Sequence, residues 1–133
     1  MCGICGIYNF DREKVSIRQI KAMNAKMILR GPDSEGSYID NNFGFGMRRL
    51  SVIDLANGNQ PIFSKDRKKV IIFNGEIYNY IELRDELIEF GFDFTTNSDT
   101  EVILKLYEKN GDSFLEKLRG MFSICIYDIV KNK

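Results

Sequence analysis

The sequence contains no histidine and no tryptophan, and it has only three cysteines among its 133 residues. Without histidine, the chain lacks the side chain that most often acts as a general base. Three thiols are too few for a four-coordinate structural zinc site, and their odd number excludes a complete set of disulfides. Any nucleophilic chemistry must therefore draw its base from another group.

The chain also lacks net charge and long apolar runs. Nineteen basic residues balance nineteen acidic residues, and the densest basic cluster is residues 67–69. This balance argues against nucleic acid and anionic membranes as partners. No segment approaches the roughly 18 apolar residues of a membrane span, and the first residues lack the leader of a signal peptide. We therefore expect a cytoplasmic protein.

The opening MCGICG places Cys2 and Cys5 at the C-x-x-C spacing of redox and metal sites. A thioredoxin-like pair follows a strand and opens a helix, whereas the alternation in CGICGIYNF predicts that this pair lies within a strand. Residues three apart on a strand face opposite sides of the sheet. The pattern therefore disfavours both redox and metal chemistry at these cysteines.

Hydrophobic periodicity divides the remaining chain into helices and strands. We expect strands over residues 2–10, 37–40, 43–54, 69–75 and 121–128. Helices are expected from Ser16 to about Leu29, from Asn79 to Gly91, from Ser98 to Gly111, and briefly over residues 113–118. The irregular order favours an α+β domain with mixed or antiparallel sheets covered by helices. The last strand ends at KNK without a following element, which predicts that more chain normally follows.

Cys2 becomes the first residue if Met1 is removed, and it then carries a free α-amine. Such an amine has an ordinary pKa of about 7.7–8.0, close to the ~8.5 of a cysteine thiol. The amine can therefore act as the base, as it does for an N-terminal threonine nucleophile. If Met1 is retained, a peptide bond blocks the amine and we expect no activity.

Other polar positions are candidates for a site, and each has an ordinary structural interpretation as well. Asn74-Gly75 closes an apolar strand, where a side-chain amide and a backbone N–H suit an oxyanion hole, although Asn-Gly is also a common turn. Arg48 and Arg49 must face opposite sides of a strand, so one points inward. Arg49 would pair with a ligand carboxylate or a structural aspartate, and Asp99 would bind an ammonium group or stabilise a helix end.

Several stretches together resemble the N-terminal glutaminase domain of glutamine-dependent asparagine synthetases. In order, they are MCGICG, RGPDSEG, MRRLSVIDL, NQPIF, FNGEIYNYIELRDEL, TNSDTEVILKLYE and LRGMFSICIYD. The blocks NGEIYNY and SDTEVIL are the most distinctive. The resemblance implies a class II glutamine amidotransferase with the fold of N-terminal-nucleophile hydrolases, a four-layer αββα sandwich of two mainly antiparallel sheets between helices.

The resemblance also implies a role for each matching residue. Cys2 would be the nucleophile, and Asn74 with the Gly75 N–H would hold the oxyanion. The remaining residues would bind L-glutamine. Arg49 would bind its α-carboxylate, and Glu76 and Asp99 would bind its α-ammonium group. The backbone of Leu50, Val52 and Ile53 would line the pocket. Cys5 and Cys125 would be inert strand residues.

Residues 1–133 would thus be a glutaminase domain truncated at its C-terminus. The resemblance implies that its ammonia passes to a C-terminal synthetase domain, absent here, which amidates aspartate. We expect ATP and magnesium only in that missing domain, and no cofactor or metal in this one. The partners would be L-glutamine and the synthetase domain, and a homodimer is a further option.

Two departures keep other functions open. This chain has Leu29 and Met47 where members of the family usually have histidine. One alternative is a non-catalytic module that retains the fold for regulation or assembly. Another is a glutaminase that supplies ammonia to a different carboxylate, in cell-surface or antibiotic synthesis.

Overall fold

A computed structural model describes residues 2–55 and 57–133. Six strands and three α-helices follow one another along these residues: β1 (Gly3–Tyr8), α1 (Ile17–Lys26), β2 (Ser34–Asp40), β3 (Phe43–Arg49), β4 (Ile62–Phe63), β5 (Lys69–Ile77), α2 (Tyr80–Glu89), α3 (Asp99–Asn110) and β6 (Gly120–Asp128). A 3-10 helix, Gly111–Lys117, connects α3 to β6. None of the helices in these two ranges is both long and apolar enough to cross a membrane.

The strands form two three-stranded antiparallel sheets. The first has the order β1-β3-β2 and the second has the order β4-β5-β6. Helix α1 packs on the first sheet, and helices α2 and α3 pack on the second. The result is the four-layer αββα sandwich that the family resemblance implies.

The apolar core has two parts because each strand of a sandwich presents alternate residues to opposite faces. The part between the sheets consists of Phe43, Phe45, Met47, Val70, Ile72 and Tyr127. The part between the second sheet and its helices contains Ile71, Phe73, Ile77, Leu83, Leu87, Val102, Ile103, Leu104, Leu106 and Phe114. Strand β5 contributes to both, so the second sheet is covered on both of its faces.

The glycines of β3 allow α1 to lie close to the first sheet. A Cβ atom at Gly46 would lie 2.5 Å from Oδ1 of Asn24 in α1. Asn24 is buried there, and its Nδ2 donates a hydrogen bond to the backbone oxygen of Gly36. Cys5 also faces α1, with its Sγ 3.6 Å from Asn24 Oδ1. Cys2 packs with the core between the sheets, so the two cysteines do face opposite sides.

The structure differs from the sequence-based expectation at several element boundaries and in one additional strand. Strand β2 begins at Ser34 rather than at residue 37. Helix α1 ends at Lys26 because the chain turns at Met27, whose backbone oxygen accepts hydrogen bonds from the N–H groups of Arg30 and Gly31. Strand β3 ends at Arg49, so the expected continuation to residue 54 is wrong. The two-residue strand β4 was not expected at all.

The predicted helix caps are only partly confirmed. Ser16 caps α1 and Ser98 caps α3, each through its side-chain oxygen. The spacing of Ser98 and Glu101 also predicts a capping box for α3. Glu101 does not complete it, because its carboxylate accepts hydrogen bonds from Thr95 and Thr96 instead. The spacing of Asn79 and Glu82 predicts a capping box for α2. This prediction is wrong, since the Asn79 side chain bonds to the backbone of Lys117 and Arg119 rather than to α2.

Candidate active site

One cavity of about 250 Å³ lies beside the start of β1, the end of β3, the second half of β5 and the start of α3. This is slightly smaller than the ~300–1,000 Å³ typical of sites for drug-sized ligands, and it suits a compact metabolite. All nine site residues named from the sequence line it: Cys2, Arg49, Leu50, Val52, Ile53, Asn74, Gly75, Glu76 and Asp99. The fold therefore brings together residues that lie up to 97 positions apart.

Cys2 lines the cavity, and its neighbours hold it in place. Its Sγ lies 3.4 Å from the Leu50 nitrogen, which donates to it, and 3.6 Å from the Leu50 oxygen. Nε of Arg30 donates a 3.0 Å hydrogen bond to the Cys2 backbone oxygen. Since Leu50 immediately follows β3, the thiol is fixed relative to the end of that strand. Met1 lies outside the described residues.

Asn74 and Gly75 lie within β5, which continues to Ile77, so the interpretation of this dipeptide as an ordinary turn is wrong. The side-chain oxygen of Asn74 is buried and has no hydrogen-bond partner among residues 2–55 and 57–133. Gly75 has φ +154°, and a Cβ atom there would lie 2.1 Å from the Met121 oxygen. Only glycine fits at this position, and the neighbouring Asn74 lines the cavity, where its Nδ2 can donate to a bound molecule.

Arg48 and Arg49 are both buried, although they face opposite sides of β3. Arg48 donates to the backbone oxygens of Gly31 and Pro32, and it forms an ion pair with Glu35. The expectation that only one of the two arginines would be inward is therefore wrong, because the turn at residues 31–32 covers Arg48 as well.

Arg49 points into the cavity without a carboxylate partner in the described part of the chain. Its Nη2 donates to the backbone oxygens of Ile53 and Asp54, and its Nη1 donates to Asn59 Oδ1. A guanidinium has five N–H donors, so Nε–H and one Nη1–H remain for another ligand. The alternative interpretation, in which a structural aspartate accompanies Arg49, is met in part by Asp54: the guanidinium helps to lower the pKa of that carboxyl group, although the two do not form a direct ion pair.

Two carboxylates, those of Glu76 and Asp99, also line the cavity. Asp99 is buried, and its Oδ2 accepts a 3.2 Å hydrogen bond from the Ile77 nitrogen. Burial raises the pKa of Asp99 above its ordinary value, the bond from Ile77 opposes the rise, and the nearby Glu76 carboxylate adds to it. Glu76 itself is exposed. A cationic ligand placed between these carboxylates would relieve the cost of keeping Asp99 charged.

The loop after β3 closes another side of the cavity. The Ser51 nitrogen donates to Asp33 Oδ2, and Asp54 Oδ2 accepts a 2.8 Å hydrogen bond from the Asn97 nitrogen. This last bond is the main reason that the pKa of Asp54 is lowered. The loop is therefore tied to the turn after α1 and to the segment before α3, which orients its backbone toward Cys2.

Leu29 and Met47 do not line the cavity. Leu29 is 96% exposed, whereas Met47 is fully buried between the sheets. Neither side chain forms part of the site, and replacing the family's usual histidines there leaves the cavity lining intact. Six lining residues were not assigned to the site from the sequence: Gly58, Gln60, Phe73, Ser98, Thr100 and Met121. Three of the six are sequence neighbours of assigned residues: Phe73 precedes Asn74, and Ser98 and Thr100 flank Asp99. That proximity in sequence is the one feature that could have identified them.

Comparison with known proteins decides the family. A family model described as a glutamine amidotransferase domain matches residues 1–133. The chain belongs to the glutamine amidotransferase domain family. It is 48% identical over 135 residues to asparagine synthetase (glutamine-hydrolyzing) 1 of Bacillus subtilis, covering 96% of the chain and 21% of that protein. It is 39% identical to asparagine synthetase B (glutamine-hydrolyzing) of Escherichia coli, covering 99% of the chain and 24% of that protein.

A solved structure supports the same fold. The glutamine phosphoribosylpyrophosphate amidotransferase of B. subtilis, in complex with ADP and GMP, superposes with a TM-score of 0.77 at 20% identity. The match covers 96% of this chain and 35% of that protein. This amidotransferase domain therefore has the αββα fold of an amidotransferase, and it spans only about a fifth to a quarter of the curated relatives' length.

Proposed function

We propose that this amidotransferase domain hydrolyses L-glutamine to glutamate and ammonia, with Cys2 as the nucleophile. The observation that carries the proposal is the lining of the 250 Å³ cavity, which brings the Cys2 thiol together with the Arg49 guanidinium and the carboxylates of Asp99 and Glu76. Free glutamine is a zwitterion, so a site for it needs one cation and one or two anions at a fixed separation. Arg49 meets the first requirement, and Asp99 with Glu76 meets the second.

The reaction begins when the free α-amine of Cys2 takes the proton of its own thiol. The thiolate attacks the side-chain amide carbon of glutamine, and the amide oxygen becomes an oxyanion. Nδ2 of Asn74 and the N–H of Gly75 donate hydrogen bonds to that oxyanion. The C–N bond then breaks, the leaving nitrogen takes the proton from the α-ammonium group, and ammonia departs.

A γ-glutamyl thioester on Cys2 remains after ammonia leaves. Water attacks this thioester while the α-amine accepts the water proton, and the same two donors stabilise the second oxyanion. Collapse of this intermediate expels the Cys2 sulfur, which regains its proton, and releases glutamate. The amine thus serves as both base and acid, and the cycle requires no histidine.

We further propose that residues 1–133 are an incomplete glutaminase domain of a larger cytoplasmic enzyme. Its ammonia would pass to a C-terminal synthetase domain that uses ATP and magnesium to amidate aspartate, in line with the names of the asparagine synthetase relatives. No cofactor or metal enters the chemistry of the glutaminase domain itself. A homodimer remains an expectation for the full-length protein.

Glutamate release by the full-length protein, with Met1 removed, tests the proposal. We expect turnover of L-glutamine that depends on Cys2. A protein with a confirmed N-terminal Cys2 that binds glutamine but releases no glutamate would contradict it, and would favour a non-catalytic regulatory role.

Arg49 and Arg48 form a matched pair for testing carboxylate recognition. We expect Arg49→Ala to raise KM for glutamine by on the order of 100-fold, because one partner of a buried charge pair is lost. Arg48→Ala removes contacts to Gly31, Pro32 and Glu35, so it should lower thermal stability with a much smaller effect on KM. Steady-state kinetics at a temperature where both variants are folded measure the difference, and equal increases in KM would contradict the assignment of Arg49.

Asp99→Asn should weaken glutamine binding while increasing stability. Asparagine keeps an oxygen for the Ile77 N–H but removes the buried charge. The pKa of Asp99 is raised in the folded state, so ionisation of this residue destabilises the fold. The free energy of unfolding falls as pH rises from the unfolded pKa of about 3.9 to the folded pKa, and it stays lower at every pH above the folded pKa. We therefore expect a higher Tm than wild type at pH 8, and no such advantage below both pKa values.

The pH series and the binding data test Asp99 separately. Thermal unfolding at acidic and alkaline pH measures the stability effect, and glutamine KM at pH 8 measures the loss of ammonium recognition. A variant that loses stability at pH 8, or that binds glutamine as wild type does, would contradict this role.

A further inference from the structure

The side chain of Gln60 bridges two walls of the active-site cavity. It is buried, and its Oε1 accepts a 2.6 Å hydrogen bond from the Phe73 nitrogen in β5. Its Nε2 donates a 3.2 Å hydrogen bond to Oγ1 of Thr100 in α3. Phe73 immediately precedes Asn74, and Thr100 immediately follows Asp99. One amide therefore connects the strand that carries the oxyanion donor to the helix that carries the buried carboxylate.

The register of the second sheet explains why a side chain makes this bond. Strand β4 pairs Ile62 with Ile71, so an extended β4 would place Gln60 opposite Phe73. The Ser64 nitrogen donates to the Lys69 oxygen, so Ser64 and Lys69 form a hydrogen-bonded pair of the antiparallel ladder. Every second pair along such a ladder is hydrogen-bonded, and Gln60 with Phe73 would therefore be a hydrogen-bonded pair as well. The Phe73 N–H thus points to where the Gln60 backbone oxygen would lie if the ladder continued.

The backbone of Gln60 instead turns toward the first sheet. Its oxygen lies so close to Gly36 of β2 that a Cβ atom there would be 1.9 Å away. The Gln60 side chain takes over the hydrogen bond that its backbone no longer makes. The backbone pairing between the strands can therefore end before Phe73 without leaving the N–H of that residue unpaired. Gln60 and Phe73 both line the cavity at the point where the two strands diverge.

We propose that Gln60 is a positioning residue that sets the placement of Asn74 relative to Asp99. The inference rests on the proposed glutaminase function and extends it to a residue that does not itself react. A catalytic constellation tolerates displacements of only about 0.5 Å, and a misplacement of about 1 Å costs on the order of 100-fold in rate. Loss of the bridge frees β5 and α3 to shift by such amounts.

Gln60→Met tests the proposal because methionine has a similar length but forms neither hydrogen bond. In the full-length, Met1-processed protein we expect kcat/KM for glutamine to fall by about 100-fold. Gln19→Met is the matched control. Gln19 makes a capping hydrogen bond to Ser16 of α1, outside the cavity, so the same substitution should lower stability while leaving kcat/KM within about twofold of wild type.

A double variant distinguishes positioning from general destabilisation. If Gln60 acts through Asn74, Gln60→Met should cost much less in an Asn74→Ala protein than in wild type. Equal costs in the two backgrounds would overturn the proposal, as would wild-type kcat/KM in the single variant.

Amide hydrogen exchange makes the test independent of catalysis. Gln60→Met should speed exchange at Phe73, while Ile72, whose N–H faces β6, keeps its protection. If the wild-type protein releases no glutamate, the proposed function is wrong, and exchange alone then decides the structural role: faster exchange at Phe73 supports the bridge, and unchanged exchange overturns it.

Discussion

We expect replacement of Cys2 by alanine to abolish glutamine hydrolysis, and retention of Met1 to do the same. The first change removes the nucleophile, and the second converts its base into a peptide nitrogen that cannot accept a proton. We expect each to lower kcat by at least about 10⁴-fold, as loss of a nucleophile or its base does in other hydrolases. Neither change should unfold the domain, because Cys2 precedes β1 and is only partly buried.

Cys5→Ala is the matched control for Cys2→Ala. Cys5 faces α1 rather than the cavity, and burial raises the pKa of its thiol, which disfavours the thiolate. We expect near-normal activity from this variant. Glutamate release and circular dichroism, measured on proteins whose N-termini are verified by mass spectrometry, provide the comparison. Normal turnover by a protein that still carries Met1 would show that the α-amine is not the base.

Asn74→Ala should lower kcat for glutamine by about 10²–10³-fold, the usual cost of removing one oxyanion donor. The expected change in KM is small, because the amide acts mainly on the charge that develops in the transition state. The substitution also removes a buried oxygen that has no hydrogen-bond partner in the described chain. We therefore expect thermal stability equal to or higher than that of wild type.

Asn110→Ala provides an unusually close control for Asn74→Ala. Asn110 has the other buried side-chain oxygen that lacks a partner in residues 2–55 and 57–133, and it ends α3 outside the cavity. Its kcat should match wild type. If Asn74→Ala lost stability and activity together, or if Asn110→Ala reduced kcat as strongly, the oxyanion role of Asn74 would be contradicted.

Local sequence signals were sufficient where a single element determines its own conformation. Ser98 and Gly111 mark both ends of α3, and the alternation of apolar residues locates β1 and β6 within two residues. The resemblance to asparagine synthetases supplied the site residues, and the fold then placed them around one cavity.

Long-range contacts determined the features that the sequence did not reveal. The segment after Arg49 alternates like a strand, but the Arg49 guanidinium and the Asp33 carboxylate bind its backbone and draw it into a loop. Asn79 has the spacing of a capping residue, yet it bonds to Lys117 and Arg119, about 40 positions away. No local pattern distinguishes Gln60 from an ordinary loop glutamine, because its partners, Phe73 and Thr100, meet only in the folded chain.

The most direct test of the central claim is to identify the covalent intermediate. Full-length protein with a free Cys2 is mixed with L-glutamine, quenched rapidly with acid and digested, and the peptides are analysed by mass spectrometry. The protein carries Cys5→Ala, so that Cys2 is the only cysteine of the N-terminal peptide. We predict a γ-glutamyl group on the peptide that begins with Cys2, and none on the peptide that contains Cys125. Glutamate release without any adduct on Cys2, or with an adduct on another residue, would contradict the account.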